Sequence, residues 1–279
     1  MKKIYFFLLL ICCQFLSFGQ TITIDNITYN TTDGGATYEV VSSNGYSGAL
    51  DLGNIDNNGT LLNVTSIGTN AFYECYGLTA ITMPNSVTSI GSYAFYFCTG
   101  LNTVNMSNAL TNIGSYAFNY CLNLTAVAIP NTITTISAYS FSSCSSLMTL
   151  TIPNSVTTIE EYAFSYCTTL PAVTIPNSIT TLGNYAFRSC YQLNAIVIPD
   201  SVINPGASVF SNCENLSSVN IPNTFTFIPN YMFLGCLSLT SMTIPNTITS
   251  IGIGSFKDCY GLVSINIPNT VTSIGSEAF

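Results

Sequence analysis

The chain has 279 residues, 48% hydrophobic and 6% charged, with no histidine and no tryptophan, and four basic against twelve acidic side chains give a formal net charge of -8. Without imidazole there is no Ser-His or Cys-His couple and no His-containing zinc site. Beyond Lys3 the only cations are Arg188 and Lys257, too few to neutralise a run of phosphates, which excludes nucleic acid as a partner.

The chain opens on a segment that reads as a secretion signal. Met1-Lys2-Lys3 is a short basic start, Ile4 to Leu16 is apolar apart from Gln14, and Ser17-Phe18-Gly19 offers a small-x-small cleavage pattern. The apolar run falls short of the roughly 20 residues that span a bilayer as a helix. Residues 1–19 are therefore expected to be a signal peptide cut after Gly19, and no later segment reaches spanning length. Cys12 and Cys13 raise the question of lipidation, but Ile11 stands where a small residue is needed.

Residues 20–62 keep no fixed period and are expected to form an N-terminal β cap over the open edge of the periodic region beyond them. Ile22-Thr23-Ile24 and Ile27-Thr28-Tyr29 read as strands around Asp25-Asn26. A second hairpin is placed at Asp33-Gly34-Gly35, before Tyr38-Glu39-Val40-Val41. The stretch from Asp51 through Asp56 to Gly59 is loosely like a calcium loop. It lacks the ligand spacing and terminal Glu of an EF-hand, so an ordinary Asn/Asp/Gly turn is the better reading.

From residue 63 to 279 a period of 23 governs the chain. Phenylalanine recurs from Phe72 and Phe95 to Phe279, always 23 apart, and a cysteine stands three residues later at Cys75, Cys98, Cys121, Cys144, Cys167, Cys190, Cys213, Cys236 and Cys259. Leu78 to Leu262 form a third lane. A fixed period of this size marks a solenoid whose coils bury their apolar lanes against one another. In the unit from Leu78, the alternation Ile81, Thr82, Met83 predicts a first strand that Pro84-Asn85 ends. Val87 to Ile90 is a second extended piece, Gly91 turns the chain, and Ser92 to Cys98 suits a short helical or 3-10 turn. Cysteines on stacked coils have parallel Cβ vectors, and nine is odd. They are expected to be a ladder of buried thiols and not disulfides.

The unit Ile-Pro-Asn-(Ser/Thr)-Val-Thr-x-Ile-Gly-x-Tyr-Ala-Phe-x-x-Cys-x-x-Leu, present as Ile152 to Leu170 with Glu160 in the Gly position, resembles the BspA-like leucine-rich repeat. Ser107 replaces a strand-ending proline, Pro205 and Pro229 disturb two copies, and Ser208 and Gly254 interrupt a tyrosine lane. The resemblance implies a leucine-rich-repeat solenoid, a curved β-rich coil of about nine repeats with short parallel strands. It also implies a secreted or cell-surface protein, some members of the family being adhesins toward extracellular matrix or other cells, and it implies no catalytic residue and no cofactor. Phe279 stops in mid-repeat, so further repeats or a sorting domain are expected beyond it.

The outward positions of the first strand are the candidate interaction face: Thr79, Thr82, Thr103, Asn105, Thr125, Thr149, Thr151, Thr174, Ser218, Asn220, Thr243 and Asn266. This neutral face lacks the Trp and Arg of tight hot spots and suits weak contacts multiplied over many coils, toward an extracellular protein, matrix or cell-surface ligand. A passive stalk presenting a further C-terminal domain is one alternative. Another is ice binding by the Ser/Thr-x-Thr files at Ser86/Thr88 and its successors, although Thr is an ordinary strand former. The tyrosines Tyr93, Tyr116, Tyr139, Tyr162, Tyr185 and Tyr231 are expected to pack along the back of the coil with hydroxyls in water. Glu160 and Glu161 are adjacent and should point apart, unlike a hydrolase pair facing one bond.

Overall fold

A 23-residue coil is too short to enclose a core, so its apolar side chains and half of its backbone groups have to be satisfied by the coils above and below. The computed structural model describes residues 19–31 and 33–279 and meets this requirement by stacking the coils in register. Of the expected signal segment, residues 1–19, all but Gly19 lie outside the described residues.

The chain enters through three antiparallel strands, β1 (Gln20–Ile24), β2 (Ile27–Thr31) and β3 (Tyr38–Ser43). Asp25 and Asn26 turn the first hairpin with positive φ of 49° and 65°, the backbone that a tight two-residue hairpin requires. In the second, Asp33 accepts the amides of Ala36 and Thr37, both at 3.0 Å. β3 then pairs in parallel with Val64–Ile67, and β4 (Gly48–Asp51) pairs in parallel with Leu78–Thr82. The entry strands thus share hydrogen bonds with the first coil, with Tyr29 and Val40 buried beneath them.

Each coil carries the two extended pieces read from the sequence. The second pieces form near-continuous parallel ladders from Val64–Ile67 through Ser89–Ile90 to Asn112–Ile113, from Thr135–Ile136 to Asn204–Pro205, and from Phe227–Ile228 to Ser273–Ile274. The first pieces pair less regularly. Leu78–Thr82 pairs with Thr103–Asn105, Ala126–Ala128 with Thr149–Thr151, and Ala195–Ile196 with Ser218–Val219. Elsewhere this ladder shrinks to single bridges, Ala172 with Ala195 and Thr243 with Asn266.

The third side of the coil is built from turns. It keeps the i to i−3 bonds of a 3-10 segment: Tyr96 N to Tyr93 O at 3.1 Å, Cys98 N to Phe95 O at 3.1 Å and Leu101 N to Cys98 O at 3.0 Å. It does not continue as a helix, because two residues per coil are left-handed. One is the tyrosine lane (Tyr93 φ 58°, Tyr116 61°, Tyr139 58°) and the other precedes the cysteine (Phe97 58°, Tyr120 59°, Ser143 61°). The amides of these two residues, and that of the phenylalanine between them, point out of their own coil. Tyr93 N donates to Ser115 O at 3.0 Å, Phe95 N to Ala117 O at 2.7 Å and Phe97 N to Asn119 O at 2.9 Å, and the pattern continues to Phe256 N on Ala278 O.

Inside, Phe72 to Phe279 stack ring on ring, with centroids 4.9–6.0 Å apart. The nine cysteines are free and buried. From Cys98 onward each thiol donates to the phenylalanine carbonyl of the preceding coil, at 3.0–3.4 Å. The thiols therefore act as small apolar groups with one well-placed donor. Burial pushes Cys144 and Cys190 up to about 12 and Cys259 to about 11.

Two consequences concern stability. A thiol whose native pKa is raised favours the native state below its unfolded pKa of about 8.5 and loses that contribution as pH rises toward the native value. The reduced protein should hold its melting temperature to about pH 8.5 and lose it steeply between about pH 9 and 12, each ionising thiol contributing about 1.4 kcal/mol per pH unit. Melts in reductant that stay flat to pH 11 would contradict this. In addition, Ser143→Gly removes strain at a positive φ and should leave stability unchanged or raise it by about 1 kcal/mol. Ala163→Gly should cost about 1 kcal/mol or more, and equal losses in denaturant titrations of both variants would refute the left-handed assignment.

Candidate interaction surface

The coil offers three sides, and their polar groups differ in whether they are already occupied. On the first-strand side the structure leaves Thr79, Thr103, Asn105, Thr125, Thr149, Thr151, Thr174, Ser218, Asn220, Thr243 and Asn266 exposed and Thr82 half-buried. Four of the twelve are engaged. Asn105 Nδ2 donates to Thr82 Oγ1 at 3.2 Å, and the Thr103 hydroxyl donates to Asn102 Oδ1 at 2.8 Å. Asn220 takes the amide of Ile198 at 2.8 Å and donates to its carbonyl at 2.9 Å, replacing a strand pairing. Among the described residues, no hydrogen bond to another protein group holds the remaining side chains of the set. Val197 and Met148 add exposed apolar surface to the same side.

The second-strand side also carries threonine, yet most of its hydroxyls are bound inward, Thr134, Ser155, Thr226, Thr247 and Thr270 being without such a bond among the described residues. Ser86, Ser178 and Ser201 donate to the carbonyls of Val64, Val156 and Ile179 at 2.6–2.7 Å. In the outer file Thr111 donates to Thr88 O at 3.1 Å, Thr180 to Thr157 O at 3.3 Å and Thr249 to Thr226 O at 3.0 Å. Exposed Ile203 interrupts the file, so its hydroxyls reinforce the stack and do not form an even free array.

The turn side bears the aromatic rows. Tyr93, Tyr116, Tyr139, Tyr162 and Tyr185 are half-buried and stack at 4.4–4.7 Å, with ring planes within 17°. A neighbouring group, Tyr73, Tyr96, Phe97 and Tyr120, packs beside them by stacked and edge contacts. Sequence reasoning singled out the first row only, because the second lacks a constant residue type. It also passed over Arg188, whose guanidinium lies 5.7 Å from the Tyr166 ring centroid and 5.6 Å from that of Tyr185.

Three of the acidic positions, Glu160, Asp51 and Asp56, bind backbone amides. Glu160 Oε2 accepts the amide of Ala138 at 2.8 Å, while Glu161 is exposed. Asp51 caps the short 3-10 turn Leu52–Asn54 through the Gly53 amide at 2.9 Å, and Asp56 accepts from Gly59 at 2.7 Å. Their carboxylates close local turns.

A stack of short parallel strands around leucine, phenylalanine and cysteine lanes defines a leucine-rich-repeat solenoid. The profile of the BspA type leucine rich repeat region matches residues 65–193 and 157–279, in six copies, and the chain belongs to this family. It is similar to the leucine-rich repeat protein of T. pallidum, TpLRR, with 27% identity over 87% of this chain and 91% of that one at a TM-score of 0.52. The pneumococcal vaccine antigen PcpA shares the fold at 18% identity and TM-score 0.54, over 94% of this chain and 86% of that one. A leucine rich cell surface protein of Faecalibacterium prausnitzii is 26% identical over 92% of this chain and 94% of that one, with a TM-score of 0.44. No curated protein matches the chain.

If Glu160 serves the backbone and not a reaction, Glu160→Gln should keep nearly full stability, since its amide oxygen still accepts. Glu160→Ala should lose about 1–2 kcal/mol by orphaning the Ala138 amide. Chemical denaturation of both variants reads the difference, and equal stability would remove the assigned role.

Proposed function

We propose that the protein is exported, by a signal peptide cleaved after Gly19, to the medium or the cell surface. There it acts as a non-catalytic scaffold that holds an extracellular protein or matrix ligand, in the manner of an adhesin. In this reading residues 20–62 cap the solenoid, and the repeats from residue 63 onward supply the surface. Membership of the BspA type repeat family supports it. Among the described residues no helix is long and apolar enough to cross a membrane.

The observation that carries the reading is the contrast between the two threonine-bearing sides. Thr79, Thr125, Thr149, Thr151, Thr174, Ser218, Thr243 and Asn266 stand outward on the first-strand side with no hydrogen-bond partner among the described residues, while most of the second-strand hydroxyls, those of Thr111, Thr157, Thr180, Thr249 and Thr272 among them, are tied to backbone carbonyls. A repeating row of free donors and acceptors binds weakly at each coil and gains affinity through the number of coils engaged. The same contrast disfavours ice binding by the second-strand files.

The test is a combined Thr149→Glu, Thr151→Glu and Thr174→Glu variant beside deletion of one 23-residue coil, residues 124–146. Adhesion to a panel of immobilised matrix glycoproteins and to intact cells is measured. The charged variant should keep its melting temperature and lose adhesion by about tenfold or more, and the shortened protein should bind more weakly than the full chain. Adhesion indifferent to both changes would identify the solenoid as a stalk.

A further inference from the structure

We infer that the gap in the tyrosine stack at Ser208 is a binding site for one acidic sugar ring, a hexuronate unit of an extracellular glycan. The site lies on the turn side and does not depend on the first-strand side being adhesive.

From Tyr93 to Tyr185 the stack is regular, at 4.4–4.7 Å per ring. The next coil places Ser208 in the lane, and the one after returns to Tyr231. The backbone ignores the change. Ser208 keeps the left-handed φ of 57°, and its amide donates to Asn230 O at 3.0 Å, as the tyrosines donate to their own neighbours. Only the ring differs. Two coil spacings, about 9 Å on the stacking distances, separate the flanking lane positions, enough for one ring in contact with both sides. Tyr231 also leans over Gly254, where a Cβ would lie 2.5 Å from its ring, so the slot is not closed from that side. The result is an open cavity of about 240 Å³ lined by Tyr185, Tyr231, Arg188, Ser208, Ser211 and Asn212.

The polar groups around it are unanswered. Ser208 and Ser211 are only 3% and 2% exposed, yet neither hydroxyl bonds another protein group among the described residues. The Asn212 side chain has no hydrogen-bond partner there either. The ion pair among the described residues joins Lys257 and Glu277, leaving the Arg188 guanidinium without a carboxylate. Unfilled donors at the base of a half-enclosed slot favour a ligand that brings acceptors.

The chemistry selects among ring-shaped ligands. Tyrosine walls accept the C–H faces of a pyranose, while Ser208, Ser211 and Asn212 match its hydroxyls. Arg188 presents a fork that a carboxylate meets with two parallel bonds. A neutral hexose leaves the guanidinium unpaired, and an aromatic carboxylate leaves the hydroxyl and amide groups unpaired. Two cations against twelve acids give residues 19–279 a net charge of -10, but at physiological salt charges farther than about 8 Å from the ligand are largely screened. Arg188 is the one charged residue that lines the cavity itself.

Calorimetric titration of the full chain with a trimer of galacturonic acid, its carboxyl-reduced neutral counterpart and benzoate decides the matter. Binding of the acidic trimer is expected, weakened about tenfold in the neutral trimer and in Arg188→Met. It should be abolished in Ser208→Tyr, which completes the stack and should melt no lower than the wild-type protein. If Ser208→Tyr proves unstable, the Arg188→Met comparison still decides. The proposal fails if the acidic trimer does not bind at millimolar concentration, if Ser208→Tyr binds it unchanged, if the neutral trimer binds equally well, or if benzoate binds as tightly and is lost in the same variants.

Discussion

The bond on which the architecture depends is the forward amide of the turn side. Phe95 N reaches Ala117 O one coil ahead, whereas on the second strand Thr111 N reaches back to Thr88 O. Neighbouring coils are therefore donor and acceptor to each other on different sides, and no coil satisfies its own backbone. The left-handed residues that aim the forward amides cost roughly 1–2 kcal/mol each in sterics, comparable to what one net hydrogen bond returns. They persist because stacked phenylalanines and leucines over-determine the geometry around them. Stability then belongs to interfaces between coils, as in other linear repeats.

The cysteine lane is a consequence of the same geometry. The Phe72 carbonyl accepts the amide of Cys75 within its coil at 3.1 Å and the thiol of Cys98 from the next at 3.0 Å. A residue at that point has to be small and nearly apolar while filling one remaining lone pair. Alanine offers no donor, and serine buries a more strongly polar group. The recurrence of cysteine thus reflects packing and one hydrogen bond per coil, and each pair of thiols stays apart because its side chains run parallel.

What the sequence made legible was whatever repeats by residue type: the period, the phenylalanine, cysteine and leucine lanes, the two extended pieces and the outward face. Within the short helical or 3-10 stretch, whose i to i−3 bonds are present, the left-handed lanes were not legible, because tyrosine, phenylalanine and serine carry no mark of positive φ. A signal did exist. Asn70, Gly254 and Glu277 share the lane of Tyr93, and Asn212, Gly235 and Asp258 share that of Phe97, all with positive φ. Lanes that exchange tyrosine for Asn, Asp or Gly are those where the backbone, and not the side chain, is constrained. The difference between the two threonine sides was beyond reach of composition, since it depends on whether a neighbouring carbonyl lies within reach of the hydroxyl.

The departures from the period divide by what accompanies them. Ser107, in place of proline, accepts the Ala109 amide at 3.1 Å. Glu160, in place of glycine, accepts the Ala138 amide. Pro229 is matched by Ser255, whose hydroxyl donates to its carbonyl at 3.0 Å. Each of these brings a hydrogen bond that repairs the stack locally, and such substitutions drift into a repeat without altering its surface. Ser208 brings none: its backbone bond is the one every coil has, its hydroxyl is unused, and the ring it replaces leaves an opening beside the unpaired Arg188. In a molecule whose stability rests on repetition, a compensated departure reads as maintenance, while an uncompensated one that opens a slot beside idle polar groups is the place to test for a ligand.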